Sequence, residues 1–174
     1  GPLGCGEWCA IAVDSIGRPH IAYYDNLKIM HATKLPTGWQ SEMIDENTNL
    51  APRGDLSLAI DGSNNAHVVY HWVAIEQNSY ENYLKHATNA TGNWVNEKID
   101  NRSTAYAIYY EHNSLVLDGN GSAHVAYLGV DGLLYYATNG DGWIKKDNWL
   151  SYQVSECDWY SSSSFSNASK YYQE

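Results

Sequence analysis

Basic side chains are scarce in this 174-residue chain: 10 Lys and Arg face 20 Asp and Glu, a formal net charge of −10. No more than two basic residues stand together. Phosphate-rich partners need a clustered basic patch, so neither nucleic acid nor an anionic membrane surface is expected to bind. Long apolar runs are missing too, and none approaches the ~20 residues of a spanning helix. Membrane insertion is therefore not expected. Only three cysteines occur, Cys5, Cys9 and Cys157, and a zinc site would need close pairs with a second half. There is a single Phe, and charged residues make up 17%, below the usual ~25%. Solubility must then rest on Asn, Ser, Thr, Gly and on 15 Tyr and 7 Trp, rings with one polar edge.

Gly1-Pro2-Leu3-Gly4 match the scar left by protease removal of an affinity tag and are set aside. Sequons begin at Asn89, Asn101, Asn120 and Asn167, which suits a secreted or cell-surface protein.

What the chain does have is repetition. Ala10-Ile-Ala-Val-Asp14 matches Ser57-Leu-Ala-Ile-Asp61 and Ser114-Leu-Val-Leu-Asp118. Six residues after each Asp stands a His that opens a second run: His20 to Tyr23, His67 to Tyr70 and His124 to Tyr127. His31-Ala-Thr33, His86-Ala-Thr88 and Tyr136-Ala-Thr138 follow, then Trp39, Trp94 and Trp143. Two units close on Ile44-Asp45 and Ile99-Asp100. The spacing of 47 to 57 residues holds four short strand-type runs per unit. In the second unit these are expected at 57–61, 66–72, 83–88 and 94–99. Four antiparallel strands at this period predict an all-β chain of propeller blades. The units divide as residues 5–45, 46–100 and 101–150, with 151–174 a tail holding either the first strand of a next blade or a closing strand.

The turns Ala32-Thr33…Gly38-Trp39, Ala87-Thr88…Trp94 and Ala137-Thr138…Trp143 resemble degenerate Asp-box turns. The chain is thus similar to sialidase-like (BNR/Asp-box) propellers, as in secreted bacterial propeller proteins, over residues 7–150. That resemblance implies a partial ring of three four-stranded blades. The box Asp is missing or shifted in every copy, so the resemblance implies architecture and little about activity. Closed propellers carry four to eight blades. A three-blade arc is therefore expected to close as a two-fold dimer or within a larger propeller. In such a dimer Cys157 would face Cys9, or Cys5, of the partner copy.

Asp14/His20, Asp61/His67 and Asp118/His124 invite two readings, a metal pair or a turn cap with a packed His. Recurrence in every unit favours structure, since a fold needs all copies and a site needs one. The same reasoning assigns Trp39, Trp94 and Trp143 to gaps between blades, and Tyr23, Tyr70 and Tyr127 with them. Function is sought where the units differ, in the links between the second and third strands and between blades. That face would present Arg53, Asp55, Trp72, Glu76, Tyr80, Glu81, Arg102, Tyr106, Tyr109, Tyr110, Glu111, Trp149, Trp159 and Tyr160. Aromatic faces among planar hydrogen-bonding groups suit sugar rings.

A binding or scaffold module for glycan or another extracellular partner is the leading reading. A polysaccharide lyase could draw on His71, His112, Tyr109, Tyr110 and Arg102, and a glycosidase on Asp55, Glu76, Glu81 and Glu111. With three arginines in all, Arg18, Arg53 and Arg102, the carboxylate-binding triad of a sialidase cannot be assembled on one face. A purely structural assembly domain is the third reading. Neither a phosphate loop nor an HExxH motif is present, and no cofactor or metal is expected.

Overall fold

The computed structural model describes residues 8–46, 54–76, 79–104, 112–129 and 133–140, with backbone only for 76 and 102–104. Eleven strands are described: β1 Cys9–Val13, β2 Pro19–Asp25, β3 Lys28–Leu35, β4 Gly38–Glu46, β5 Ser57–Ile60, β6 Ala66–Glu76, β7 Ser79–Thr88, β8 Val95–Thr104, β9 Asn113–Leu117, β10 Ala123–Leu128 and β11 Leu134–Thr138. They form sheets in chain order, β1-β2-β3-β4, β5-β6-β7-β8 and β9-β10-β11. Every pairing is antiparallel. The chain is all-β, and each sheet is a propeller blade whose strands are called A to D in order. No helix of the described residues is long and apolar enough to cross a membrane.

Two expectations are corrected. The expected link from Val73 to Asn82 is strand at Val73–Glu76 and Ser79–Asn82: β6 and β7 pair out to Ile75↔Tyr80 and Glu76↔Ser79. Strand β8 likewise runs to Thr104, so Arg102 sits in a strand opposite Asn82. The first extension follows from β-favouring residues, Val73 and Ile75 in one strand and Tyr80 in its partner, and β8 then pairs along the lengthened β7.

The turn between strands A and B is built the same way three times. Asp14 Oδ1 accepts the amides of Ile16 and Arg18 at 3.0 and 2.8 Å. Asp61 accepts those of Ser63 and Asn65, and Asp118 those of Asn120 and Ser122. The third residue after each Asp is left-handed: Gly17, Asn64 and Gly121, with φ of 82°, 67° and 82°. Gly and Asn are the residues that tolerate it.

The core lies between blades. Tyr24, Ile29 and Ile44 of the first blade meet Val68, Tyr70 and Ala87 of the second. Val69, Leu84 and Ile99 of the second meet Leu115, Val125 and Tyr127 of the third. A β-bulge recurs between strands C and D, at Ile29/Met30 and at Leu84/Lys85. The unpaired residues are Ile44 and Ile99, and the kink turns both into the core, where they are buried. The next residue then reaches the following blade: Tyr70 donates to Asp45 Oδ2 at 2.7 Å, and Tyr127 to Asp100 Oδ2 at 3.2 Å. Burial, with Asp45 adding to it, pushes the Tyr70 hydroxyl far above its ordinary range, so it stays a donor.

Leu84 is 0% exposed, and Leu84→Ala is expected to destabilise by about 2–5 kcal/mol through the cavity it leaves. Ile16→Ala, on an exposed turn, should stay within about 0.5 kcal/mol. Urea unfolding compares them, and equal losses would contradict this placement of the core.

Candidate functional site

Two constellations carry chemistry. The first is a ladder across each blade. In the first blade His20 Nε2 lies 3.5 Å from Asp14 Oδ2, His20 Nδ1 lies 2.9 Å from His31 Nε2, and His31 Nδ1 lies 2.9 Å from Glu42 Oε1. The second repeats it through Asp61, His67, His86 and Glu97, at 3.6, 3.1 and 2.9 Å. In the third, His124 meets Asp118 at 3.5 Å and the hydroxyl of Tyr136 at 2.5 Å. The paired rings stack, with centroids 5.1 and 5.2 Å apart in the two His pairs.

The ladder needs no charge on its imidazoles. If each Nδ1–H donates outward, His20 to His31 and His31 to Glu42, two neutral rings satisfy it. This assignment also explains why the Asp–His contacts are the long ones in every blade. Burial holds His31 below the ordinary imidazole pKa, against the pull of Glu42. His67 is likewise held down by burial and by His86. Burial alone would raise the Asp14 carboxyl, but the Arg18 amide and guanidinium and the Ile16 amide outweigh it, to about 2. Asp61 is lowered, against burial, by the Asn65 side chain and the turn amides, and Asp118 by its turn amides. Each Asp is therefore a turn cap and each His a packed ring, and among the described residues no three His, Cys, Asp or Glu could hold a metal ion.

The recurring Trp is split by its neighbours. Trp94 packs edge-on against His31 of the preceding blade, centroids 5.3 Å apart. Trp39 is exposed, touched by Lys34 at 5.7 Å, because no described blade lies on that side. The ladder's outer carboxylates, Glu42 and Glu97, were not singled out from sequence. Each stands three residues after its Trp, a signal that could have found them.

The second constellation lies at the opposite end of the blades from the A–B turns. Antiparallel order brings the starts of β5, β7 and β9 and the ends of β6 and β8 to that one end. Asp55, just before β5, meets His112, just before β9: Oδ2 to Nδ1 is 3.0 Å, and both side chains are exposed. The backbone beneath them is pinned, since Asn113 Nδ2 donates to the Asp55 carbonyl at 2.7 Å and Ser57 donates to Asn113. The buried Tyr24 hydroxyl is raised above its usual range by burial, with the Asp55 charge adding to it.

Trp72 and Trp8 belong to the neighbouring junction, as partly buried rings on the core of the first two blades. Lys85 lies over Trp72, 3.9 Å from its centroid, and pairs with Asp45 at 2.6 Å. Tyr80 is half-buried on β7, in the outer half of the second blade with Arg102. Strand order thus separates Tyr80 and Arg102 from Asp55, which precedes the innermost strand. Glu81 is on β7 and Glu76 ends β6. Cys9 is a free, exposed thiol. Arg53, Tyr106, Tyr109, Tyr110, Glu111, Trp143, Trp149, Trp159, Tyr160, Cys5 and Cys157 lie outside the described residues.

No protein-family model matches the chain, and no curated protein matches it. Among solved structures it is similar to a fucose lectin from Kordia zhangzhouensis in complex with methyl-fucoside. That match has 16% identity and a TM-score of 0.41, covering 78% of this chain and 95% of that one. An Aleuria aurantia lectin mutant in complex with Fucα1-6GlcNAc shows 11% identity and a TM-score of 0.27, over 78% of this chain and 76% of that one. These scores are too low to carry a function from those chains to this one.

Lowered His pKa values mean that the unfolded chain takes up more protons as pH falls from the ordinary value of 6.5. The urea midpoint is therefore expected to be flat above about pH 7 and to drop below 6.5. The lowered Asp14, Asp61 and Asp118 add a further loss as pH falls through 3.8 toward 2. His31→Gln with His67→Gln should flatten the first decline and leave the second. A midpoint that rises on acidification to pH 5 would contradict the neutral ladder.

Proposed function

We propose that this chain is a glycan-binding propeller module, with the sugar seated on the end of the blades where Asp55 and His112 meet. The observation that carries the reading is that pair: a carboxylate and an imidazole from neighbouring blades, exposed and 3.0 Å apart. Vicinal sugar hydroxyls each donate and accept, so they match fixed planar groups of this kind. Pinning the backbone through Asn113 removes ordering cost at the moment of binding. Trp72 and Trp8, at the neighbouring junction of the first two blades, are rings of the kind that take a sugar face.

The proposal extends by chain position to Arg53, Tyr106, Tyr109, Tyr110 and Glu111, which fall in the links between blades. The kinship with Asp-box propellers is taken as one of architecture. The four sequons support a secreted or cell-surface setting. The blades are read as an arc completed by a second copy of the chain.

One feature favours a second reading. An imidazole oriented by a carboxylate is also a general base, which a polysaccharide lyase would use on this face. Absorbance of unsaturated product from uronate-containing polysaccharides tests it, and no turnover removes it.

A glycan array is expected to return a defined sugar class, and calorimetry with its best member then measures variants. Asp55→Ala and His112→Ala should each weaken binding about tenfold, in line with a lost charge-assisted hydrogen bond. Both should melt like the parent, since the anchor uses the Asp55 carbonyl rather than its side chain. An array without hits, or variants that bind like the parent, would overturn the reading.

A further inference from the structure

The two outermost blades keep the side chains of an interior. In the inner junctions, strand B of the later blade supplies Val68 and Tyr70, or Val125 and Tyr127, all buried. Ile21 and Tyr23 stand at the matching places of the first blade and are only half-buried. On strand A, Ile11 matches Leu58 and Leu115. Leu115 is 8% exposed, whereas Ile11 is 67% and its neighbour Val13 is 61% exposed. Trp39, the counterpart of Trp94, is open on the same face.

The far face of the third blade is the complement. Ile29 and Leu84, the strand C residues that meet the following blade, are both 0% exposed, yet their counterpart Leu134 is 46% exposed. Val116 on strand A, the counterpart of Ala59, is 61% exposed. Tyr136 occupies the ladder place of His31, the ring on which Trp94 packs. One end of the arc therefore carries the entering side of the junction, and the other end carries the receiving side.

We propose that the receiving face of the third blade binds the entering face of the first blade of a second copy of this chain. Trp39 of that copy would seat on Tyr136, as Trp94 seats on His31. The inference rests on the reading of the arc as completed by a second copy, and adds which surfaces meet. The contact is the same junction that the chain makes twice within itself, continued across a chain boundary. A face-to-opposite-face contact made twice closes as a two-fold ring, which is why two copies suffice. Single exposed apolar residues need no explanation, but two whole faces patterned as interiors do.

Sedimentation equilibrium at micromolar concentration decides it, with Ile11→Glu on one face, Leu134→Glu on the other, and Trp39→Gln as a milder entering-face change. The parent is expected at about twice the chain's 19.5 kDa. Each variant should run as one chain, with an unchanged far-ultraviolet circular dichroism spectrum, because these side chains are solvent-exposed within one copy. A parent of 19.5 kDa would overturn both the assembly reading and this one, leaving the residues after 140 or further blades of a longer parent as the cover. A parent dimer that all three variants leave intact would keep the assembly reading and overturn these surfaces.

Discussion

The hydroxyl of Tyr70 against the carboxylate of Asp45, repeated as Tyr127 against Asp100, is the contact on which the arrangement of blades depends. A four-stranded sheet this apolar must cover both faces, and hydrophobic packing alone would allow neighbours to slide. A buried hydroxyl and a partly buried carboxylate do not allow it, because displacement leaves each without its partner in a dry junction, at a cost of roughly 1–3 kcal/mol per group. The bond exists because a bulge inserts one residue in strand D. That residue, Ile44 or Ile99, turns into the core, and the Asp after it swings toward the next blade.

Within a blade, the same economy of parts recurs. The Asp that caps the A–B turn also marks the start of a line of rings that crosses to strand D. Turn, strand pairing and inter-blade packing are thereby tied to one line of side chains per unit. The rings sit on the face that the following blade covers, which explains the burial that holds His31 and His67 below the ordinary imidazole pKa. In the third blade a Tyr replaces the second His, and the hydroxyl keeps the contact while its face is left open. The ladder has the attributes of a catalytic relay, but it is repeated wherever a blade exists, so its role is that of a scaffold.

That scaffold leaves the other end of the blades free to vary. Links of different length rise there from strands whose positions are fixed by the junctions below. The meeting of Asp55 and His112, 57 residues apart, is a product of the blade repeat bringing equivalent links side by side. A rigid base under exposed polar groups is what a binding surface for a flexible, hydroxyl-rich ligand requires. The lateral faces of the arc are apolar by contrast, and the two kinds of surface do not compete.

The repeated Asp, His, Trp and Ile-Asp determined, from sequence alone, that the chain is all-β and built from blades of four antiparallel strands. They also identified the A–B turns, because an Asp followed three residues later by Gly or Asn has a local reason to turn. Repetition alone was the ground for reading the His and Tyr positions as scaffold. Sequence could not show that β6 and β7 pair as far as Glu76 and Ser79, since a link without a repeat partner looks like a loop until its register is known. Nor could it show that His31 and His86 complete a line to Glu42 and Glu97, because that line runs across strands, perpendicular to the chain. Only the stacking of blades decided that Asp55 lies beside His112 while Tyr80 and Arg102 stand apart. It also decided that Trp94 is covered where Trp39 is not: the two have the same local sequence logic, and the difference is whether a neighbouring blade is there to meet them.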